Sequence, residues 1–77
     1  MDNLTAFFED RRMIREGLVT PASRVYKQYQ MWCDDVEEDG ETQKMLGMRL
    51  SERGFVSEKI KRGQHKDRKG WRGIGSP

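Results

Sequence analysis

The side chains that could act as nucleophiles in this sequence have almost nothing to activate them. Ser23, Ser51 and Ser57 are candidate hydroxyl nucleophiles, but His65 is the only histidine that could serve as a general base. No Gly-x-Ser-x-Gly turn presents a serine, and no Gly-x4-Gly-Lys-Ser/Thr loop is available to cradle a phosphate. We therefore expect a chain that is not an enzyme in its own right and that needs no cofactor.

The acidic segment 34–41 offers the ligand type that calcium prefers, but not the required spacing. Four of its residues match the first, third, fifth and sixth positions of an EF-hand loop: Asp35, Glu37, Asp39 and Gly40. The twelfth position needs a bidentate glutamate and is Leu46, so no calcium site is expected. Cys33 is the single cysteine, which excludes an internal disulfide and a cysteine-based zinc site. We expect the segment to be a solvated loop that repels polyanions.

The positive charges are concentrated towards the C-terminus. The 77 residues carry 15 Lys and Arg against 13 Asp and Glu, a net charge of +2. Residues 1–53 hold 8 basic and 11 acidic side chains (−3), whereas residues 54–77 hold 7 and 2 (+5). A basic segment beside an acidic body favours a polyanionic partner, although a solvated basic tail would have the same composition.

The composition allows one small domain with a thin core. Hydrophobic residues make up 34% of the chain and charged residues 36%, so there is no room for a deep substrate pocket beside the core. No apolar run approaches the roughly 18 residues of a membrane span, and no signal peptide is recognisable. We expect a soluble, cytoplasmic chain without a membrane partner, cut from a larger protein.

Apolar residues at helical spacing predict the first two helices. The first covers Leu4–Met13 and is ended by Gly17, after which residues 18–19 form a brief extended stretch. The second runs from about Pro21 to Val36, with the hydroxyl of Thr20 as its cap. The stripe on this helix contains three aromatic residues, which we attribute to core packing rather than base stacking, with the hydroxyls at the surface: Tyr26, Tyr29 and Trp32.

A third helix and a β-hairpin complete the predicted fold. The helix covers about Gln43–Arg53, between a cap at Thr42 and a left-handed turn at Gly54. The hairpin covers about residues 55–75, with a second strand from Lys69 to Gly75. A bulge at Gly73 would bring Trp71 and Ile74 to the same side of this strand: an ideal strand would separate them. The order is that of a winged helix, an α+β fold, over residues 1–77.

In such a fold the third helix enters the major groove of DNA and the hairpin contacts the backbone. With Leu46 and Leu50 inward, the candidate DNA-binding residues of the third helix are Gln43, Lys44, Gly47, Met48, Arg49 and Ser51. Gly47 would let a DNA backbone approach closely, and Arg49 could extend towards DNA. The alternative is an ordinary amphipathic helix with a solvated face.

The hairpin supplies the second group of candidates, because flexible cations around a glycine-containing loop can follow phosphates. They are Lys59, Lys61, Arg62, Gln64, His65, Lys66, Arg68, Lys69 and Arg72. Gln64 and His65 at the tip could also touch base edges, although for His65 alone the favoured interpretation is a plain exposed histidine.

Several segments resemble the C-terminal domain of phage and plasmid primase-helicases of the superfamily 3 type. These are Phe7-Phe8-Glu9-Asp10-Arg11, Pro21-Ala22-Ser23-Arg24-Val25-Tyr26, Tyr29, Trp32-Cys33, Thr42-Gln43, Leu46-Gly47, Leu50, Arg53-Gly54-Phe55 and Gly70-Trp71-Arg72-Gly73-Ile74-Gly75. The resemblance implies a winged-helix-like DNA-binding domain that follows primase and ATPase parts and helps to start replication of a mobile element. The partner would be duplex DNA, together with other domains or subunits of the replication protein.

A second hypothesis stays open, because a fold does not settle a function. The same winged helix could be a protein-interaction module that docks on a replication partner through the acidic segment. The distinguishing feature is whether the hairpin cations lie on the same face as Lys44 and Arg49.

Overall fold

The computed structural model describes residues 4–61, 63–64 and 66–75, which contain three helices and one three-stranded antiparallel sheet. In chain order the elements are α1 (Leu4–Arg11), β1 (Ile14–Pro21), α2 (Ala22–Asp35), α3 (Gln43–Glu52), β2 (Ser57–Lys59) and β3 (Lys69–Ile74). The predicted α+β class and the predicted order of elements are confirmed. Arg62 and His65 of the predicted hairpin site lie outside the described residues.

The boundary between α1 and β1 differs from the prediction. The helix stops at Arg11 because Arg12 adopts a left-handed conformation (φ 51°). Met13 follows outside the helix but is buried, and its N–H donates to the Phe8 carbonyl at 3.1 Å. Gly17 does not end a helix: it lies within β1, which has eight residues rather than two. Pairing with β3, a partner distant in sequence, extends this strand.

The start of α2 also corrects the prediction, because Thr20 is not its cap. Thr20 belongs to β1, pairs with Trp71 and donates its hydroxyl to the Ile74 carbonyl at 2.6 Å. Pro21 precedes the first helical residue, and no side chain caps this end. The hydroxyl that could have capped the helix instead joins β1 to β3.

The prediction for α3 is confirmed at both ends to within one residue. The Thr42 hydroxyl accepts the N–H of Met45 at 3.2 Å, the expected N-cap bond. At the other end Gly54 has φ 91°. The N–H of Phe55 then donates to the Leu50 carbonyl at 3.1 Å, which closes the helix.

The central strand of the sheet is β3, in the order β1-β3-β2. Against β1 its register changes between the pairs Val19–Arg72 and Ile14–Ile74, so that four residues of β1 lie opposite Gly73. Gly73 has φ 85°, and both Trp71 and Ile74 are buried. The extra residues therefore lie in β1, and not in β3 as the bulge predicted at Gly73 would require. The predicted consequence, that both large side chains of β3 enter the core, is confirmed.

One core lies between the helices and the inner face of the sheet. Its buried residues come from α1, the turn after it, α2, α3 and β3: Leu4, Phe7, Phe8, Met13, Val25, Tyr29, Trp32, Cys33, Leu46, Leu50, Trp71 and Ile74. Tyr29 is completely buried, and its ring meets the edge of Phe7 at a centroid distance of 5.5 Å. The Trp32 indole donates to the Asp10 carboxylate at 2.8 Å and joins α2 to α1.

We predict that Gly54→Val lowers the free energy of unfolding by more than about 1 kcal/mol, because a β-branched residue is strained at positive φ. No atom lies within 4 Å of a Cβ added there, so the backbone alone causes the loss. Thermal midpoints should fall by several degrees, about 4–8 °C per kcal/mol for a domain of this size. Gly47→Ala, inside α3, is the control and should leave the midpoint unchanged or raise it. Equal midpoints for parent and Gly54→Val would contradict the prediction.

Candidate nucleic-acid interface

The exposed side of α3 is set by the two leucines that anchor the helix. Leu46 and Leu50 lie four residues apart and are both buried, so they fix which side of the helix meets the core. Lys44, Met48 and Ser51 are consequently exposed. This is the orientation expected from the sequence.

A groove of about 550 Å³ runs between α3 and the start of β3. It is lined by Ala22, Gln43, Lys44, Leu46, Gly47, Met48, Ser51, Glu52, Lys69 and Trp71. The structure thus brings five of the six candidate residues of α3 together with Lys69 of the hairpin. Arg49 is the one that does not line the groove. We call this feature the α3–β3 groove.

Gly47 and Trp71 form the contact between the two walls of this groove. A Cβ on Gly47 would lie 3.6 Å from Cζ2 of the Trp71 indole, an ordinary van der Waals distance. The open side of Gly47 therefore faces Trp71 as well as the groove, and Gly47 is half-buried rather than outward-facing. Trp71 was expected in the core and is buried there, but it also lines the groove.

Lys69 is the cation that β3 contributes to the groove. Its Nζ lies 4.8 Å from the centroid of the Trp71 ring, a cation–π contact. Lys59 of β2 is directly opposite Lys69 in the register, so both side chains leave the same face of the sheet. Like charges in that arrangement destabilise a sheet. The Asp67 carboxylate, 3.8 Å from the Lys59 ammonium, offsets part of this repulsion.

Three further cations of the hairpin, Lys61, Lys66 and Arg68, are exposed in the connection between β2 and β3. Two backbone bonds close this loop: the Ile60 N–H donates to the Arg68 carbonyl at 2.9 Å, and the Asp67 N–H donates to the Ile60 carbonyl at 2.8 Å. Gln64 of the same loop is exposed as well. The loop also holds Asp67, whose carboxylate is 3.8 Å from the Lys59 ammonium.

Two predicted cations lie apart from Lys44 and Lys69. The Arg49 Nε donates to both carboxylate oxygens of Glu41 at 2.8 Å, and both side chains are about two-thirds buried. Arg49 therefore holds the α2–α3 connection. Arg72 is exposed and follows Trp71 in the strand, so alternation directs it to the other face of the sheet.

The comparisons with known proteins relate this chain to a viral family. The model of the family described as poxvirus D5 protein-like matches residues 1–70. The chain belongs to the poxvirus D5 protein-like family. This links it to a viral replication protein of the primase-helicase type, and it supports the resemblance noted in the sequence at that level. No curated protein and no solved structure gives a significant match.

The acidic segment of this D5-like chain is held at its last residue, which the sequence did not single out. The Tyr26 hydroxyl donates to the Glu41 carbonyl at 3.0 Å, and the Glu41 N–H donates to the Tyr29 hydroxyl at 3.3 Å. The tyrosine hydroxyls thus bind the chain instead of reaching the surface. Two tyrosines three residues apart on one helix were the available signal, but nothing local identified Glu41 as their partner. Residues 34–40 are exposed, as expected for a solvated loop.

The described residues provide little for other kinds of site. No group of three or more His, Cys, Asp or Glu side chains within them is arranged to hold a metal ion. Likewise, none of their helices is both long and apolar enough to cross a membrane.

Burial raises the pKa of the Cys33 thiol; a hydrogen bond with Tyr29 lowers it, and the charges of Asp34 and Glu38 raise it further. A protonated, buried thiol is a poor nucleophile.

We predict that Cys33 in the folded chain reacts with a disulfide reagent at pH 8 on the order of tenfold more slowly than in urea. Burial and the raised pKa both keep the thiolate scarce. Above the ordinary value of 9.0 the unfolded chain releases a proton that the folded chain retains, so this group makes stability fall as the pH rises. Urea titrations of parent and Cys33→Ala isolate that slope. Equal labelling rates in buffer and urea would show that the thiol is exposed.

Proposed function

We propose that this chain is a winged-helix DNA-binding module of a viral replication protein, which binds duplex DNA through α3 and the β2–β3 hairpin. The observation that carries the proposal is the α3–β3 groove, where Lys44 from the helix and Lys69 from the sheet line one cleft. The proposal includes no catalytic role for the chain alone.

The architecture supports the assignment of α3 as the recognition helix. In a helix-turn-helix the second helix of the pair lies in the major groove, with its N-terminal residues at the base edges. Here that helix is α3, whose first turn carries Gln43 and Lys44 on the groove side. The helix dipole adds positive potential at the same end.

The hairpin supports backbone contacts beside the helix. Lys59 and Lys69 leave the sheet face that carries Trp71, and Lys66 and Arg68 are exposed in the adjoining loop. Contacts of this kind fix the position of a protein on DNA without reading its sequence. The exposed acidic segment would be repelled by phosphates, so it favours an approach with the basic side towards DNA.

The alternative function is docking on a protein partner through the acidic segment. A second cleft favours it, because Met31 is 50% exposed there beside Asp34 and Glu38. An acidic cleft with an exposed methionine suits a basic, partly apolar peptide. This function needs neither Lys44 nor the loop cations, so mutations at the two surfaces separate the hypotheses.

We predict that replacing Lys66 and Arg68 with Ala reduces the slope of log K against log salt on duplex DNA by about 1.8, since each lost phosphate contact is worth about 0.9. The weakening should be similar for all sequences, because phosphates carry no base identity. Fluorescence anisotropy on duplex and single-stranded DNA over several salt concentrations measures both effects. Lys27→Ala, which removes one exposed α2 cation beside the acidic segment, is the control for loss of charge away from the hairpin and should keep the slope of the parent. If the double variant also keeps it, binding of DNA by the hairpin is refuted.

We further predict that Lys44 and Arg49 have different roles. Arg49→Ala removes the bonds to Glu41 and should lower the free energy of unfolding by about 1 kcal/mol, as expected for a charged pair that is about one-third exposed. Lys44→Ala should change stability by less than about 0.5 kcal/mol. It should change preference among DNA sequences by about 1–3 kcal/mol where a bidentate base contact is lost. Urea denaturation and competition binding measure the two quantities. An unchanged sequence preference in Lys44→Ala would contradict the role of this residue in the proposed interface.

A further inference from the structure

Met48 is an apolar side chain in a groove whose other exposed α3 residues are polar. It is 50% exposed and lies between Lys44, one turn earlier, and Ser51, nearly one turn later. Scattered exposed apolar residues are common on protein surfaces and need no explanation. Met48 differs from the other exposed methionines, Met31 and Met45, because only Met48 lines the α3–β3 groove.

The chemistry of the major groove provides one apolar counterpart for such a side chain. Base edges there present hydrogen-bond donors and acceptors, and thymine adds its C5-methyl group. We propose that Met48 contacts the C5-methyl group of thymine, or of another 5-methylpyrimidine, and is a specificity-determining residue of this chain. The inference rests on the proposed function, since it requires α3 in the major groove.

The dimensions of α3 fit a short stretch of duplex. From Lys44 to Ser51 the helix rises about 10 Å at 1.5 Å per residue. This corresponds to about three base pairs at 3.4 Å each. Met48 is in the middle of this span and lies beside Gly47, which has no side chain to separate the helix from a base edge. A flexible thioether can adjust to the exact position of the methyl group.

Glu52 supports a base-reading role for this end of the helix. Glu52 lines the same groove, and its carboxylate would be repelled by phosphate oxygens. Close to DNA, a carboxylate is accommodated where it accepts a hydrogen bond from the N4 amino group of cytosine. The side of α3 that carries Met48 and Glu52 is therefore better matched to base edges than to the backbone.

The test removes the methyl group from the DNA rather than the side chain from the protein. A preferred duplex is first selected from a random library with the parent chain, and each thymine is then replaced in turn by deoxyuridine. At one thymine or more, we expect binding to weaken about fourfold, which corresponds to the roughly 0.8 kcal/mol of one buried methylene-sized group. Met48→Ala should bind both duplexes with the same affinity. Met45→Ala, at the exposed methionine outside the groove, should keep the fourfold difference.

The outcomes separate this inference from the proposed function. Duplex binding without any thymine–uracil difference would overturn the role of Met48 and leave the proposed function in place. A difference that persists in Met48→Ala would assign the methyl contact to another residue and would also overturn it. Failure of the parent to bind duplex DNA would overturn both. The measurement on the parent needs no variant. If Met48→Ala does not fold, Met48→Leu takes its place: it keeps an apolar side chain and should retain part of the thymine–uracil difference.

Discussion

Tyr29 links the centre of the core to Glu41, the residue before the N-cap of α3. Its ring is completely buried against Phe7 and Trp32, while its hydroxyl accepts the N–H of Glu41. Tyr26 binds the carbonyl of Glu41, so both backbone groups of this residue are held by α2. Thr42 follows at once and caps α3. The position of α3 is therefore fixed at the residue before its N-cap.

The two tyrosine hydrogen bonds to Glu41 matter because α3 has few other attachments to the core. Only Leu46 and Leu50 of this helix are buried, and two apolar contacts four residues apart define a side of a helix better than its direction. Arg49 adds a return bond to the Glu41 side chain from the second turn of α3. The α2–α3 connection and the helix thus hold each other. This explains why Arg49, a candidate DNA-binding residue in the sequence, forms its bonds within the protein.

Local signals identified α3 well and β1 poorly, for a physical reason. The Thr42 cap, the leucine pair and the positive φ of Gly54 are determined by neighbours a few residues away, and all three were predictable. The length of β1 and the hydroxyl bond of Thr20 depend on β3, more than fifty residues later in the chain. The Arg49–Glu41 bond could not be predicted either, because arginines at helix surfaces are found both in bonds to loops and in contacts with ligands. Sequence pattern alone does not distinguish a cation that holds a loop from one that faces a ligand.

Trp71 belongs both to the core and to the α3–β3 groove. This double role determines which substitutions can test binding at the groove. Trp71 is buried, yet its indole carries Lys69 on its face and contacts the Gly47 side of α3. Nearby in β3, a Cβ on Gly70 would lie 2.8 Å from the Val19 side chain and 3.0 Å from the Thr20 carbonyl, so a side chain at this position would require its neighbours to move. Substitutions at Trp71 or Gly70 would change folding and binding together. Exposed side chains on the groove, such as Lys44 and Met48, report on binding alone because the core does not depend on them.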